Sequence, residues 1–422
     1  MADKKKLIEH LKSVLIVLLL ISCSVLLYHT GYYSDTFDAI NNFLISEVSV
    51  EQNGEGSTVD IKNYGKSHVM EFSVSFSDGS MYGCSYDGEE VENSYGRFSA
   101  FLAEALGSSY DHESANEINW LKAIEGEGVY MRYFAPQSTE LLAMQLGTEL
   151  PENGTEFMAD EFCLSVSDDS VYLYYRSGKE FVRCRTAVSA SALIERINEF
   201  TPNGAFFSNS DSMLRGLAKG RLIVDKSFVP AVSSNSAPGM THILNTLMPL
   251  LGMNEYTASH YDEANGTSVY IDSDSILRVS PSGSASCELN KSLSAESPEL
   301  CDVVSFCSDI VSRSIGNSCG EAEVYLLSVT QNLNGMNELT FDYLINGIPV
   351  INGSDHAAKF FVDGAEIYGV EFNFRSYSAA DGYISLLPMY QAAAVAAAEG
   401  SSGIRLCYQE SPDGIICNWV KE

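Results

Sequence analysis

The chain has 422 residues, 45% of them hydrophobic and 19% charged, enough for two or three domains with substantial cores. Its 25 Lys and Arg stand against 56 Asp and Glu, a net charge of −31. That balance excludes nucleic acid as a direct partner, because phosphate binding needs clustered cations and none cluster beyond the first dozen residues; it also disfavours broad docking onto an anionic membrane surface.

The charge is uneven. Residues 1–12 hold Lys4, Lys5, Lys6 and Lys12 against Asp3 and Glu9, so the rest carries −33. Residues 1–10 read as a cytoplasmic tail and residues 11–28 (LKSVLIVLLLISCSVLLY) as a transmembrane signal anchor. Its 18 residues rise about 27 Å as a helix, close to the thickness of a bilayer core. The lysines precede the run, which places the N-terminus in the cytoplasm and the body outside, and Tyr28, Tyr32 and Tyr33 follow where an aromatic belt sits. Two other readings compete. A cleaved secretory signal lacks its A-x-A site after Tyr28. A lipoprotein signal would use Leu20-Ile21-Ser22-Cys23, but apolar Val25 to Tyr28 follow where a polar tether belongs. The anchor reading makes Val14, Leu15, Val17, Leu18, Leu19, Leu20, Ser22, Ser24, Leu26 and Leu27 the residues that meet lipid or a partner helix.

Beyond the anchor, residues 34–205 read as an N-terminal α+β exported domain. Residues 34–46 suggest a short amphipathic helix, and 59–86 alternate as two strands meeting at Ser77-Asp78-Gly79. Residues 95–106 have helical spacing, GVYMRYF (128–134) reads as a strand, and 138–146 as a helix. Strands over 161–167, 171–177 and 180–187 precede a helix over 190–200, which Thr201-Pro202-Asn203-Gly204 stops.

Residues 206–422 read as a C-terminal α+β domain, with a possible subdivision near 330. Helices are expected over 241–252, 298–316 and 387–400, and strands over 268–274, 275–281 and 338–350. Residues 359–377 form a hairpin on Asp363-Gly364, and the last strands hold Tyr408 and Trp419. Hairpins outnumber regular βαβ alternation. The fold class is therefore α+β, with one N-terminal transmembrane helix and mainly antiparallel exported sheets packed by helices.

Catalytic signals are weak. Gly316-Asn317-Ser318-Cys319-Gly320 matches G-x-S-x-G, but a helix precedes it and a strand follows, the reverse of a nucleophile elbow, so Ser318 reads as a helix-terminal loop residue. The seven histidines form no H-x-x-x-H or H-E-x-x-H pattern. Asp262-Glu263-Ala264-Asn265-Gly266 and Asp272-Ser273-Asp274 read as turns, because neither completes a calcium loop. Asn153, Asn265, Asn290 and Asn352 match the glycosylation sequon but read as turn residues. Nine cysteines follow the anchor without a CxxC, and read as buried apolar side chains. No catalytic residue, cofactor or metal is expected, and the chain reads as a non-enzyme.

The C-terminal third carries a resemblance. LTFDYLINGIPVING (339–353), the hairpin KFFVDGAEIYGVEFNFRSY (359–377), LLPMYQAAAVAAAEG (386–400), a strand with Tyr408 and the terminal Trp419 look like the YycH/YycI family, accessory regulators of the WalK–WalR two-component system of Gram-positive bacteria. Residues 251–283 resemble the preceding module of that family. Where the family ends in a Pro-x-Trp pattern, this chain has Cys417-Asn418-Trp419, a partial match. The resemblance implies a membrane-anchored regulator that contacts a sensor histidine kinase, and a homologous YycH/YycI-type partner, without catalysing a reaction. The alternative is an exported binding module for a cell-wall fragment, peptide or small solute.

Overall fold

The computed structural model describes residues 68–422 except 152–156, 255, 273–274, 332–335, 353–355, 412–413 and 422. The anchor over 11–28, with all its lipid- or partner-facing residues, and the helix expected over 34–46 lie outside the described residues. Among those described, no helix is long and apolar enough to cross a membrane.

The first sheet has seven antiparallel strands: β1 (Val69–Ser75), β2 (Met81–Ser85), β3 (Tyr110–Ala115), β4 (Gly128–Ser138), β5 (Met158–Ser167), β6 (Ser170–Ser177) and β7 (Glu180–Arg185), in the order β2-β1-β4-β5-β6-β7-β3. The Asp78-Gly79 turn joins β1 to β2, as the sequence predicts. Alternation then decides the faces. Phe72, Val74, Met131, Phe162, Leu164 and Leu173 point to one face, where they pack against helices α1 (Gly88–Gly96) and α2 (Ser99–Gly107) and against Leu142, Ala143, Leu193 and Ile197. The expected helix over 95–106 is thus two, because the chain breaks at Arg97-Phe98 and Phe98 turns into the core. On the opposite face lies α3 (Glu117–Glu125), capped by Asn116 and burying Trp120, Ala123 and Ile124. Helices α4 (Thr139–Gln145) and α5 (Ala190–Ile197) are capped by Ser138 and Ser189, whose hydroxyls accept amide hydrogens at each first turn.

Residues 205–224, with the short pair β8 (Phe206–Phe207) and β9 (Leu222–Ile223), run as a strap along that opposite face. Ala205, Phe207, Leu214 and Leu222 join Trp120 and Tyr130 in one apolar cluster. The strap also reaches the C-terminal part, where the Ala218 amide donates to the Ser402 carbonyl at 2.7 Å.

The second sheet has eleven strands: β11 (Ser259–Asp262), β12 (Ser268–Asp272), β13 (Ser275–Val279), β14 (Ser284–Ser294), β15 (Glu323–Gln331), β16 (Asn337–Ile345), β17 (Ile348–Ile351), β18 (Ala358–Asp363), β19 (Glu366–Asn373), β21 (Ile404–Ser411) and β22 (Gly414–Lys421). All pairings are antiparallel except β17 with β21. Strands β10 (Phe228–Asn235) and β20 (Ser376–Ser385) form a separate antiparallel ribbon. Helices α6 (Met240–Leu250), α7 (Leu300–Val311) and α8 (Met389–Ala398) supply Ile243, Leu247, Val304, Cys307, Met389 and Ala393 to the core beside the sheet. The mixed α+β class with antiparallel sheets matches the sequence expectation. That core is continuous with the strap-side face of the first sheet.

Candidate functional site

The first sheet holds a row of charge that the strand pattern alone did not reveal. Glu71 on β1 faces Arg132 on β4, Arg132 faces Glu161 on β5, and Glu161 faces Arg176 on β6. The signs alternate across four neighbouring strands. Arg132 Nη1 lies 3.2 Å from Glu71 Oε1, and Arg176 Nη1 lies 3.1 Å from Glu161 Oε1. Glu71, Arg132 and Glu161 are buried. Burial pushes the Glu161 carboxyl above its ordinary value, although Arg132 and Arg176 oppose that shift. One strand residue in two points to this face, so the sequence signal was a charge at an inward position of HVMEFSVSF, GVYMRYF and DEFCLSV. The ladder is internal and reads as architecture.

Where the two sheets meet, backbone touches backbone. The turn between β16 and β17 is Asn346-Gly347, both at positive φ, and the Gly88 amide donates to the Asn346 carbonyl at 2.9 Å. A Cβ on Gly347 would stand 2.5 Å from Gly88 N. Phe134 of β4 packs on Tyr325 of β15 with ring centroids 5.0 Å apart, and Tyr86 meets Trp419 edge-on at 5.6 Å. Trp419 therefore closes the seam, and its Nε1 donates to the Leu387 carbonyl at 2.8 Å.

Beside this contact lies a cleft of about 430 Å³, lined by His68, Tyr95, Leu344 and the carboxylates Glu89, Glu92, Glu321 and Glu323. No lysine or arginine lines it among the described residues. His68 Nδ1 is 3.8 Å from Glu323 Oε2, and Glu321 Oε2 accepts the Ala379 amide at 2.7 Å. The Tyr95 and Tyr133 hydroxyls share a hydrogen bond at 3.0 Å, and burial pushes Tyr95 up to about 12.

An apolar surface stands on the ribbon and the start of α8. Phe228 is 62% exposed and Tyr383 75%, and their rings meet at 6.2 Å. Leu387 follows, 47% exposed, on a stretch fixed by the Leu386 and Met389 amides, which donate to the Ser227 and Lys226 carbonyls. Tyr390 and Val395 of α8 are also exposed but lie about 140° apart around the helix, and the Tyr390 hydroxyl donates to Asp211 Oδ2 at 3.0 Å. Large exposed apolar groups grouped together, rather than scattered, mark contact surfaces.

The sequence candidates for chemistry fall as follows. Ser318 follows α7 and precedes β15, and its Oγ donates to the Ile315 carbonyl at 3.1 Å, so it closes a helix end. His260 pairs with Asp262 on exposed β11, and His356 Nδ1 lies 3.1 Å from both carboxylate oxygens of Asp342. The structure does not bring these histidines together with Ser318. Asp262 to Gly266 is the β11–β12 turn, with Gly266 at positive φ. The nine cysteines Cys84 to Cys417 are buried free thiols. Burial pushes Cys84 and Cys287 up to about 12. Among the described residues, no group of His, Cys, Asp and Glu is arranged to hold a metal ion. Compared with known proteins, the sequence matches no family model and no curated protein.

Proposed function

We propose that the chain is a membrane-anchored extracytoplasmic regulatory protein that modulates a sensor histidine kinase controlling cell-wall homeostasis, by protein–protein contact. One observation carries the reading. Within 386–400, the stretch that bears the family resemblance, Leu387, Tyr390 and Val395 are exposed, and on the ribbon that stretch hydrogen-bonds to, Phe228 and Tyr383 form an exposed aromatic pair. A buried apolar contact supplies most of the energy of such an association. The acidic cleft at the seam favours a basic segment on the partner. A body of this kind biases a kinase only by binding one signalling state better than the other. The single apolar segment at 11–28 offers a second contact, helix against helix.

Cross-linking in native membranes, followed by capture of the full chain, tests this. A histidine kinase should be recovered, and the paired change Phe228→Ala and Tyr383→Ala should reduce its yield about tenfold. Exchange of residues 11–28 for an unrelated anchor separates the helix contribution from that of the body. Absence of any kinase from the captured material, with the anchor intact, overturns the proposal.

A further inference from the structure

The outer face of the second sheet carries a groove of about 380 Å³, away from the apolar surface of the ribbon. Its floor is a single cross-strand row. Arg278 on β13 faces Ser286 on β14, Ser286 faces Glu371 on β19, and Glu371 faces Lys359 on β18. Their neighbours Leu277, Cys287, Val370 and Phe360 are in the core, so alternation turns this row outward. Strands stand about 4.8 Å apart, which makes the row roughly 14 Å long.

The cations of the row are already engaged. Arg278 Nη1 donates to Glu288 Oε1 at 2.8 Å, and Lys359 Nζ lies 3.2 Å from Glu338 Oε1. His356, at the rim, is held by Asp342. Glu371 is exposed and has no ion pair among the described residues. Asn373 lies two residues further along β19 and lines the groove at 5% exposure. Its amide donates to the Ala357 carbonyl at 2.9 Å and its carbonyl accepts the Tyr343 hydroxyl at 2.7 Å. Its side-chain Oδ1 is buried without a partner. A buried acceptor in that state costs about 1–3 kcal/mol, and the terminal torsion of asparagine is soft enough to turn the amide toward an arriving donor.

The exposed Glu371 carboxylate and the buried Asn373 Oδ1 are both acceptors. Serine hydroxyls at 280, 284 and 286 surround them and can give or take a hydrogen bond. We infer that this groove binds a small ligand bearing a primary ammonium beside hydroxyl or amide groups, with the ammonium on Glu371, a second donor on Asn373 Oδ1 and the serines on the neighbouring polar groups. The volume suits one amino sugar or one amino acid with a side-chain amine. Binding here does not require a kinase partner, so it stands or falls apart from the regulatory role.

Calorimetric titration of the full chain in detergent with glucosamine, N-acetylglucosamine and L-lysine tests the inference. The neutral N-acetyl sugar should bind about tenfold or more weakly than glucosamine, and Glu371→Gln should weaken glucosamine by a similar factor while leaving the thermal midpoint unchanged. Tighter glucosamine than lysine assigns the ammonium to a sugar, and the reverse order assigns it to an amino acid or peptide; both support the site. Equal binding of glucosamine and its N-acetyl form, an unaffected Glu371→Gln variant, or no binding of any of the three overturns it.

Discussion

Removal of Arg132 would strand the buried Glu71 carboxylate and leave the buried Glu161 carboxylate with Arg176 alone. Breaking a buried ionic set in this way costs about 3–5 kcal/mol. Arg132→Met should therefore lower the stability of the full chain by that amount in urea unfolding followed by tryptophan fluorescence, and a loss under about 1 kcal/mol would mean that the ladder is hydrated. Its pH dependence has a definite sign. Burial raises the Glu161 carboxyl above the ordinary 4.5, so its favourable contribution is present below that value and is lost as pH rises through the raised one. Wild type should lose stability relative to Glu161→Gln as pH climbs from about 4 to 7. The opposite slope would mean that Arg132 and Arg176 outweigh desolvation. None of this was legible beforehand, because sequence shows a charge inside a strand but not which charge on another strand stands opposite.

Among the elements, Asn203 does the work of a strand. Its Oδ1 accepts the Gly83 amide at 3.0 Å and its Nδ2 donates to the Gly83 carbonyl at 2.8 Å, so one side chain closes the edge of β2. Asn203→Ala should cost about 2 kcal/mol and speed hydrogen exchange at the Gly83 amide. Asn203→Asp, which keeps the acceptor alone, should fall between the two. An unchanged exchange rate in the alanine variant would show that water replaces the pairing. The sequence identified this stretch as a helix stop, and the strands and hairpins with clear alternation fell where expected. It missed β3 and α3 because YDHESA has no apolar alternation, and EINWLKAIE buries only Trp120, Ala123 and Ile124. Those two elements are held by tertiary pairing with β7 and by the strap, which local pattern does not encode.

At the scale of the whole body, one apolar cluster runs from Met70, Trp120 and Phe134 through the strap to Phe341 and Tyr408. The two sheets should consequently unfold together, in a single transition reported alike by fluorescence and by far-ultraviolet circular dichroism. Two separated transitions would show that the seam is weaker than either sheet. Thiol accessibility reads the same core. The nine described cysteines are buried, so a water-soluble thiol reagent should leave them unmodified in the native chain and titrate them in denaturant, with no change in stability on adding reductant. The α+β class was legible because hairpin signals dominate the sequence. The seam was not, because it is made by Tyr86, Trp419 and two glycines that are far apart in the chain.

The glycine contact has an evolutionary consequence. Gly347 sits at φ +75° and has room for no Cβ against Gly88, so the two positions share one steric allowance although they lie far apart in the chain. Side chains that ring the cleft are free of that restriction. A lineage can therefore trade one set of cleft charges for another while the pivot beneath them stays fixed, and the chemistry of the cleft can diverge without the architecture having to be rebuilt.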